Sequence, residues 1–290
     1  MMSGVLNATK DVVHAVQSAY DYYLWTLTLS DKRTQGWLFV DSPGPVFALI
    51  YLYLLIVYFG PKWMKDREPF KLSALLIMYN ISMALLNFWI CAQLFISSYK
   101  LNYSYICEPC RMSYHPDELK ITRAVWWYFF SKLLEFTDTF FFILRKKHDQ
   151  LSFLHIYHHS TMFFFWWIGI KWVPTGTTFL PAMANSLIHV LMYTYYGLSV
   201  LGPKVTKYLW WKKYLTIIQM IQFTTALALG INGIFIGCDF PLWMHYTLIL
   251  YMISFIVLFG KFYVKAYIQK YKDYREMCQQ RALNENLKSD

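Results

Sequence analysis

Charge is scarce in this 290-residue chain: 15% of residues are Asp, Glu, Lys or Arg, against 57% that are hydrophobic. That balance excludes a soluble domain of this length, and the ordered recurrence of apolar runs excludes a disordered one. Gly/Ser linkers, low-complexity tracts and obvious repeats are missing, which leaves one domain with short connections. The first 40 residues are polar and mixed, so a cleavable signal peptide is not expected. Acidic residues are few as well, 17 against 27 Lys and Arg, for a net charge of +10.

In place of charge the chain carries apolar runs near 45–60, 71–95, 123–144, 151–172, 180–200, 208–232 and 242–263. Each approaches the roughly 20 residues that a bilayer crossing needs, the first being the shortest. Lipid offers backbone amides no partner, so all are expected to be helices. The chain thus divides into a lumenal segment 1–44, a seven-helix membrane domain 45–264 and a basic tail 265–290 that begins helical and frays.

Most Lys and Arg follow the odd-numbered runs: Lys62, Lys65, Arg67 and Lys71; Arg145, Lys146 and Lys147; Lys204, Lys207, Lys212 and Lys213; and the tail. The positive-inside rule then predicts a cytosolic C-terminus, a lumenal N-terminus and an odd number of spans. On that topology the sequon residues Asn7 and Asn102 are lumenal and open to glycosylation. Cys107, Cys110 and Cys238 are lumenal too, where disulfides persist. A Cys107–Cys238 bridge would tie the loop after the second run to the loop after the sixth, with Cys110 as the competing partner. Cys91, within a run, and Cys278, in the tail, are expected as free thiols.

Four polar clusters interrupt the apolar helices. Lys132, Glu135, Asp138 and Thr139 form one stripe of the third. His155, His158 and His159 share a face of the fourth, immediately before Phe163-Phe164-Phe165-Trp166-Trp167. Asn185, His189, Met192 and Tyr196 share a face of the fifth, beside Tyr193 and Tyr195, and Thr216, Gln219 and Gln222 form a stripe of the sixth. At 1.5 Å of rise per residue, Asp138 and His158 lie about 10 Å from the cytosolic face, and His189 and Gln219 about 16 Å. Similar depths on four helices point to one shared chamber, in which buried ionisable groups satisfy one another. The lumenal halves of these helices are apolar or aromatic. A polar chamber over an apolar interior suits a charged head on a long alkyl tail. Basic loops at its mouth suit a phosphorylated head such as coenzyme A. The remaining histidines, His14, His115, His148 and His245, read as surface or loop residues.

Lys132-x-x-Glu135-x-x-Asp138-Thr139, His155-x-x-His158-His159, Asn185-x-x-x-His189-x-x-Met192-Tyr193-x-Tyr195-Tyr196 and Thr216-x-x-Gln219-x-x-Gln222 resemble, in order and spacing, the elongases of very long chain fatty acids. The resemblance covers nearly the whole chain, and Phe140 to Ile170 looks most like the animal members. It implies an all-α polytopic fold of seven transmembrane helices, six of them around a closed-ended acyl tunnel. It implies a condensing enzyme of the endoplasmic reticulum that joins long-chain acyl-CoA and malonyl-CoA into a 3-oxoacyl-CoA two carbons longer, without a cofactor. The product calls for a 3-oxoacyl-CoA reductase and a 3-hydroxyacyl-CoA dehydratase as partners, and a homodimer is open; nucleic acid is not a partner. The tail ends Leu287-Lys288-Ser289-Asp290 and lacks the second lysine of a dilysine signal, so retention would use other features.

No cysteine lies near the chamber, so histidine is the best nucleophile available. His158 is the residue expected to be acylated. His155, His159 and His189 would position it, move protons or stabilise oxyanions. Glu135 and Asp138 would orient imidazoles, with Asn185, Tyr196, Gln219 and Gln222 as donors. Lys132, Arg145, Lys146, Lys147, Lys204, Lys207, Lys212 and Lys213 are candidates for CoA phosphates and the malonyl carboxylate. A direct condensation with histidine only as base is the alternative mechanism. A di-iron desaturase or hydroxylase would need about eight histidines in several boxes, and a second such box is missing, so no metal is expected. A seven-helix receptor or lipid transporter fits the helix count but does not use clustered histidines and carboxylates.

Overall fold

A computed structural model describes residues 2–269 and, in the tail, 271, 272, 275, 277 and 279, with side chains from residue 11 onward. Among these residues all regular structure is helical: α1 (Met2–Thr28), α2 (Gly44–Met64), α3 (Ser73–Lys100), α4 (Pro116–Leu134), α5 (Phe136–Leu144), α6 (Phe153–Trp172), α7 (Phe179–Ser199), the single turn α8 (Pro203–Thr206), α9 (Lys212–Phe235) and α10 (Leu242–Tyr263). Most of the segment 1–44 is one long helix.

Helices α2, α3, α9 and α10 (the last with its continuation to Gln269) are long and apolar enough to cross a membrane. The polar clusters sit on the others. The third apolar run is divided at Glu135 into α4 and α5. Just before that point Ser131 Oγ donates to Tyr128 O at 2.7 Å, a side-chain bond that competes with regular helical pairing. Within apolar α3, Asn80 and Asn87 donate back to Leu76 O and Met83 O, which lets two amides sit in a buried face.

Successive long helices alternate in direction. α3 lies along α7 and α4, α4 lies on α6, α9 lies on α10, and α2 reaches α5 and α6. The bundle consequently has two unlike ends. At one, Cys107 and Cys238 are joined by a disulfide that ties the α3–α4 loop to the α9–α10 loop, their Cα atoms 5.7 Å apart. At the other lie the basic loops after α2, α5 and α7 and the start of the tail.

The disulfide end is closed by short connections. Asp31 and Arg33 form a buried ion pair at 2.6 Å, and Arg33 also donates to Ser113 O and Thr175 Oγ1. Trp167 and Lys171 on α6 donate to Val40 O and Asp41 O. Gly176, at φ +68°, lies against the backbone of Pro109 and Cys110, where a Cβ would come within 2.8 Å. Cys110 remains a free thiol 3.5 Å from Thr175 Oγ1, and burial pushes its pKa up. Cys91 is also free. Asn102 is exposed in a left-handed turn at φ 52°. The side chain of Asn7, Cys278 and the terminal Leu287 to Asp290 lie outside the described residues.

Candidate active site

The polar residues of α4 to α7 converge. Lys132 Nζ donates to Glu135 Oε1 at 2.7 Å and to Asn185 Oδ1 at 3.2 Å, and its ammonium lies 4.3 Å from the centre of the Tyr128 ring. Tyr128 OH donates to the same Asn185 oxygen at 2.6 Å. His189 Nδ1 lies 3.1 Å from Glu135 Oε1. Lys132 and Glu135 are almost wholly shielded from solvent, so each charge depends on the other and on these added contacts.

The histidine box faces this network. Ser152 accepts from His155 N at 3.2 Å and so caps α6 one turn before the box. The His158 ring is 5.0 Å from that of His159 and 6.4 Å from that of His189, while His155 and His159 are 4.2 Å apart. Thr139 Oγ1 lies 2.8 Å from His155 Nε2, and Tyr53 OH lies 3.1 Å from Thr139 Oγ1. Thr139 on α5 and Tyr53 on α2 thus orient the first imidazole. Asp138 meets no imidazole: its Oδ2 accepts from Tyr193 OH at 2.8 Å. Tyr196 packs its ring on Tyr193 and Tyr195.

A cavity opens beside His158 and runs to the disulfide end, partly open to the outside. Asn185, Gln222 and Tyr128 line it with His158, and beyond them the walls are mainly Met162, Phe165, Trp166, Phe223, Ala226, Leu248 and Tyr251. Gln219 is one turn from Gln222, nearer the basic end, and does not line it. Glu135 Oε2, His159 Nδ1 and Gln222 Oε1 are buried without a hydrogen-bond partner among the described residues. Buried atoms of this kind take a partner from a bound molecule or an ordered water.

The basic residues gather at the end where α6 begins. Arg145, Lys146 and Lys147 follow α5, and Lys146 is held by a bond from Nζ to Lys65 O. Lys204, Lys207, Lys212 and Lys213 lie between α7 and the start of α9, all exposed. Among the described residues, one group has the spacing to hold a metal: Glu135, His158 and His159, with ligand atoms within 4.8 Å of one another. Lys132 places an ammonium 2.7 Å from that carboxylate, which opposes a cation there.

Three features escape the sequence reading. Tyr128 lies four residues before Lys132, one turn along the same stripe, so extending the stripe finds it. Tyr53 comes from a helix without any polar pattern. His245 is not a surface or loop residue; it is 4% exposed and lines the far part of the cavity. His14, His115 and His148 are exposed.

A family model described as ELO: GNS1/SUR4 family matches residues 38–275. Very long chain fatty acid elongase 4 of Homo sapiens is 51% identical over 253 residues, covering 87% of this chain and 81% of the relative. The mouse protein of that name is 51% identical over 260 residues, covering 88% and 83%. Very long chain fatty acid elongase 5 of Mus musculus is 44% identical over 257 residues, covering 89% and 85%.

Proposed function

The chain belongs to the ELO (GNS1/SUR4) family and is a fatty acid elongase, and we propose that it carries out the condensing step through an acyl-enzyme on His158. The observation that supports this reading is the position of His158: its imidazole stands at the head of the apolar cavity, among His159, His189 and Gln222.

A ring nitrogen of His158 attacks the thioester carbonyl of a long-chain acyl-CoA. The carbon–sulfur bond breaks, and free CoA leaves with the proton given up by the imidazole. The acyl-imidazole is reactive, and an apolar cavity that excludes water protects it from hydrolysis. Malonyl-CoA then loses carbon dioxide, and its enolate carbon attacks the acyl carbonyl. The nitrogen–carbon bond breaks, the imidazole takes up a proton, and a 3-oxoacyl-CoA two carbons longer is released. Asn185, Gln222 and His159 are the donors available to oxyanions at the head of the cavity, and His189 beside Glu135 is a proton carrier. No cofactor or metal enters these steps.

The acyl tail occupies the cavity. CoA phosphates meet the loops that hold Arg145, Lys146, Lys147, Lys204, Lys207, Lys212 and Lys213. The charge distribution supports a cytosolic basic end and a lumenal disulfide end in the endoplasmic reticulum membrane, with seven spans formed by α2, α3, α4–α5, α6, α7, α9 and α10. The 3-oxo product calls for a reductase and then a dehydratase as partners, and a homodimer is compatible with the chemistry.

The test is purified protein in detergent with malonyl-CoA and a series of acyl-CoAs, without reductant or added metal. Mass spectrometry is expected to find 3-oxoacyl-CoA from the wild type and none from His158→Ala. Equal product from a folded His158→Ala protein would remove the histidine mechanism.

A further inference from the structure

Two polar side chains line the cavity far from His158. On α10, Phe255 touches the His158 ring, with centroids 5.5 Å apart, whereas His245 lies ten residues earlier on the same helix. At 1.5 Å per residue the imidazole of His245 is therefore roughly 15 Å further along the cavity. There His245 Nε2 and Thr178 Oγ1 are both buried without a hydrogen-bond partner among the described residues, and both residues line the cavity. They come from different elements, α10 and the turn before α7.

The position of His245 is built into the fold. Gly233 on α9 faces the imidazole so closely that a Cβ there would overlap Cε1. The Phe240 ring packs against the imidazole nearly perpendicular, with ring centroids 5.7 Å apart. A methyl-ended alkyl chain leaves both polar atoms unpaired when it reaches them, and unpaired buried polar atoms are unfavourable. A site of that kind discriminates for a ligand that carries the missing hydroxyl.

We propose that the far end of the cavity is a seat for a polar chain terminus, and that the protein elongates acyl chains bearing a hydroxyl on the last carbon. The terminal hydroxyl exchanges hydrogen bonds with His245 Nε2 and Thr178 Oγ1. This rests on the assignment of the cavity to the acyl tail. It acts only at the chain length that reaches His245; shorter chains meet apolar walls and are not distinguished.

The experiment compares terminally hydroxylated and methyl-ended acyl-CoAs, matched in length across a series, as competitors for wild type, His245→Phe and Thr178→Val. The ratio of hydroxylated to methyl-ended 3-oxo product is expected to peak at one length in the wild type. There it should fall roughly tenfold in His245→Phe and less in Thr178→Val. A binding readout without turnover, the rise in melting temperature given by the same CoA esters, is expected to follow the same order. A wild type that prefers the methyl-ended chain at every length, or a ratio unchanged in both variants, overturns the proposal. Methyl-ended product in that case shows that condensation itself stands. Absence of product from either series, with melting temperatures unmoved, overturns the cavity assignment as well.

Discussion

At the histidine end of the cavity Lys132 Nζ reaches both Glu135 and Asn185, Tyr128 shares the same Asn185 oxygen, and Thr139 fixes His155. At the disulfide end His245 Nε2 and Thr178 Oγ1 have no hydrogen-bond partner among the described residues and stand between apolar walls. The first region is a network whose members determine one another's positions, so removing any of them disturbs the rest. The second is held by shape, through Gly233 and Phe240, and its polar atoms remain uncommitted. In the proposed mechanism, chemistry belongs to the first region and selection of the chain end to the second.

The largest effect that tests this division is on Glu135. Glu135→Ala leaves the buried Lys132 ammonium without its carboxylate, which costs about 3–5 kcal/mol in comparable pairs. The expected outcome is a large drop in melting temperature together with loss of turnover, measured by thermal unfolding in detergent beside the condensation assay. Thermal stability kept in full would show that the network is not the frame of the site.

Gly233→Ala should follow, because the new methyl overlaps His245 and forces the ring to move. Overpacking of this kind costs about 1–3 kcal/mol. Unlike the Glu135 change, it should alter the spread of product lengths while condensation on short chains continues. An unchanged spread would separate the far end from substrate selection. Thr139→Val is smaller still: it removes the partner of His155 Nε2 at nearly constant volume, for about 1 kcal/mol or several-fold in rate, with stability little changed. The smallest expected effect is that of a chelator, which should leave the rate unaltered; inhibition restored by one metal would return the Glu135, His158 and His159 group to consideration as a metal centre.

Much of this arrangement was legible in the sequence. The apolar runs fall within a few residues of α2, α3, α6, α7, α9 and α10, because lipid-compatible length and composition fix helix extent. Helical spacing put His155, His158 and His159 on one face and Lys132 with Glu135 on another, and α4 to α7 bring the two together. Spacing within one helix does not say which residue of a neighbouring helix stands opposite. Tyr53, Tyr193 as the partner of Asp138, and Gln222 rather than Gln219 at the cavity wall all required the packing. His245 was illegible for a related reason. A single histidine at a helix start carries no periodic signal, and its burial depends on a glycine on another helix. The helix α1 was missed because residues 1–44 lack the apolar runs that mark the others.

The proposed mechanism depends on acylation of His158. The most direct measurement is the intact mass of the protein after incubation with long-chain acyl-CoA alone, followed by peptide mapping of α6. The expected result is a mass increase of one acyl group located on His158, discharged when malonyl-CoA is added and lost in His158→Ala. An unmodified protein that condenses the same acyl-CoA efficiently, or an acyl group on another residue, would contradict it.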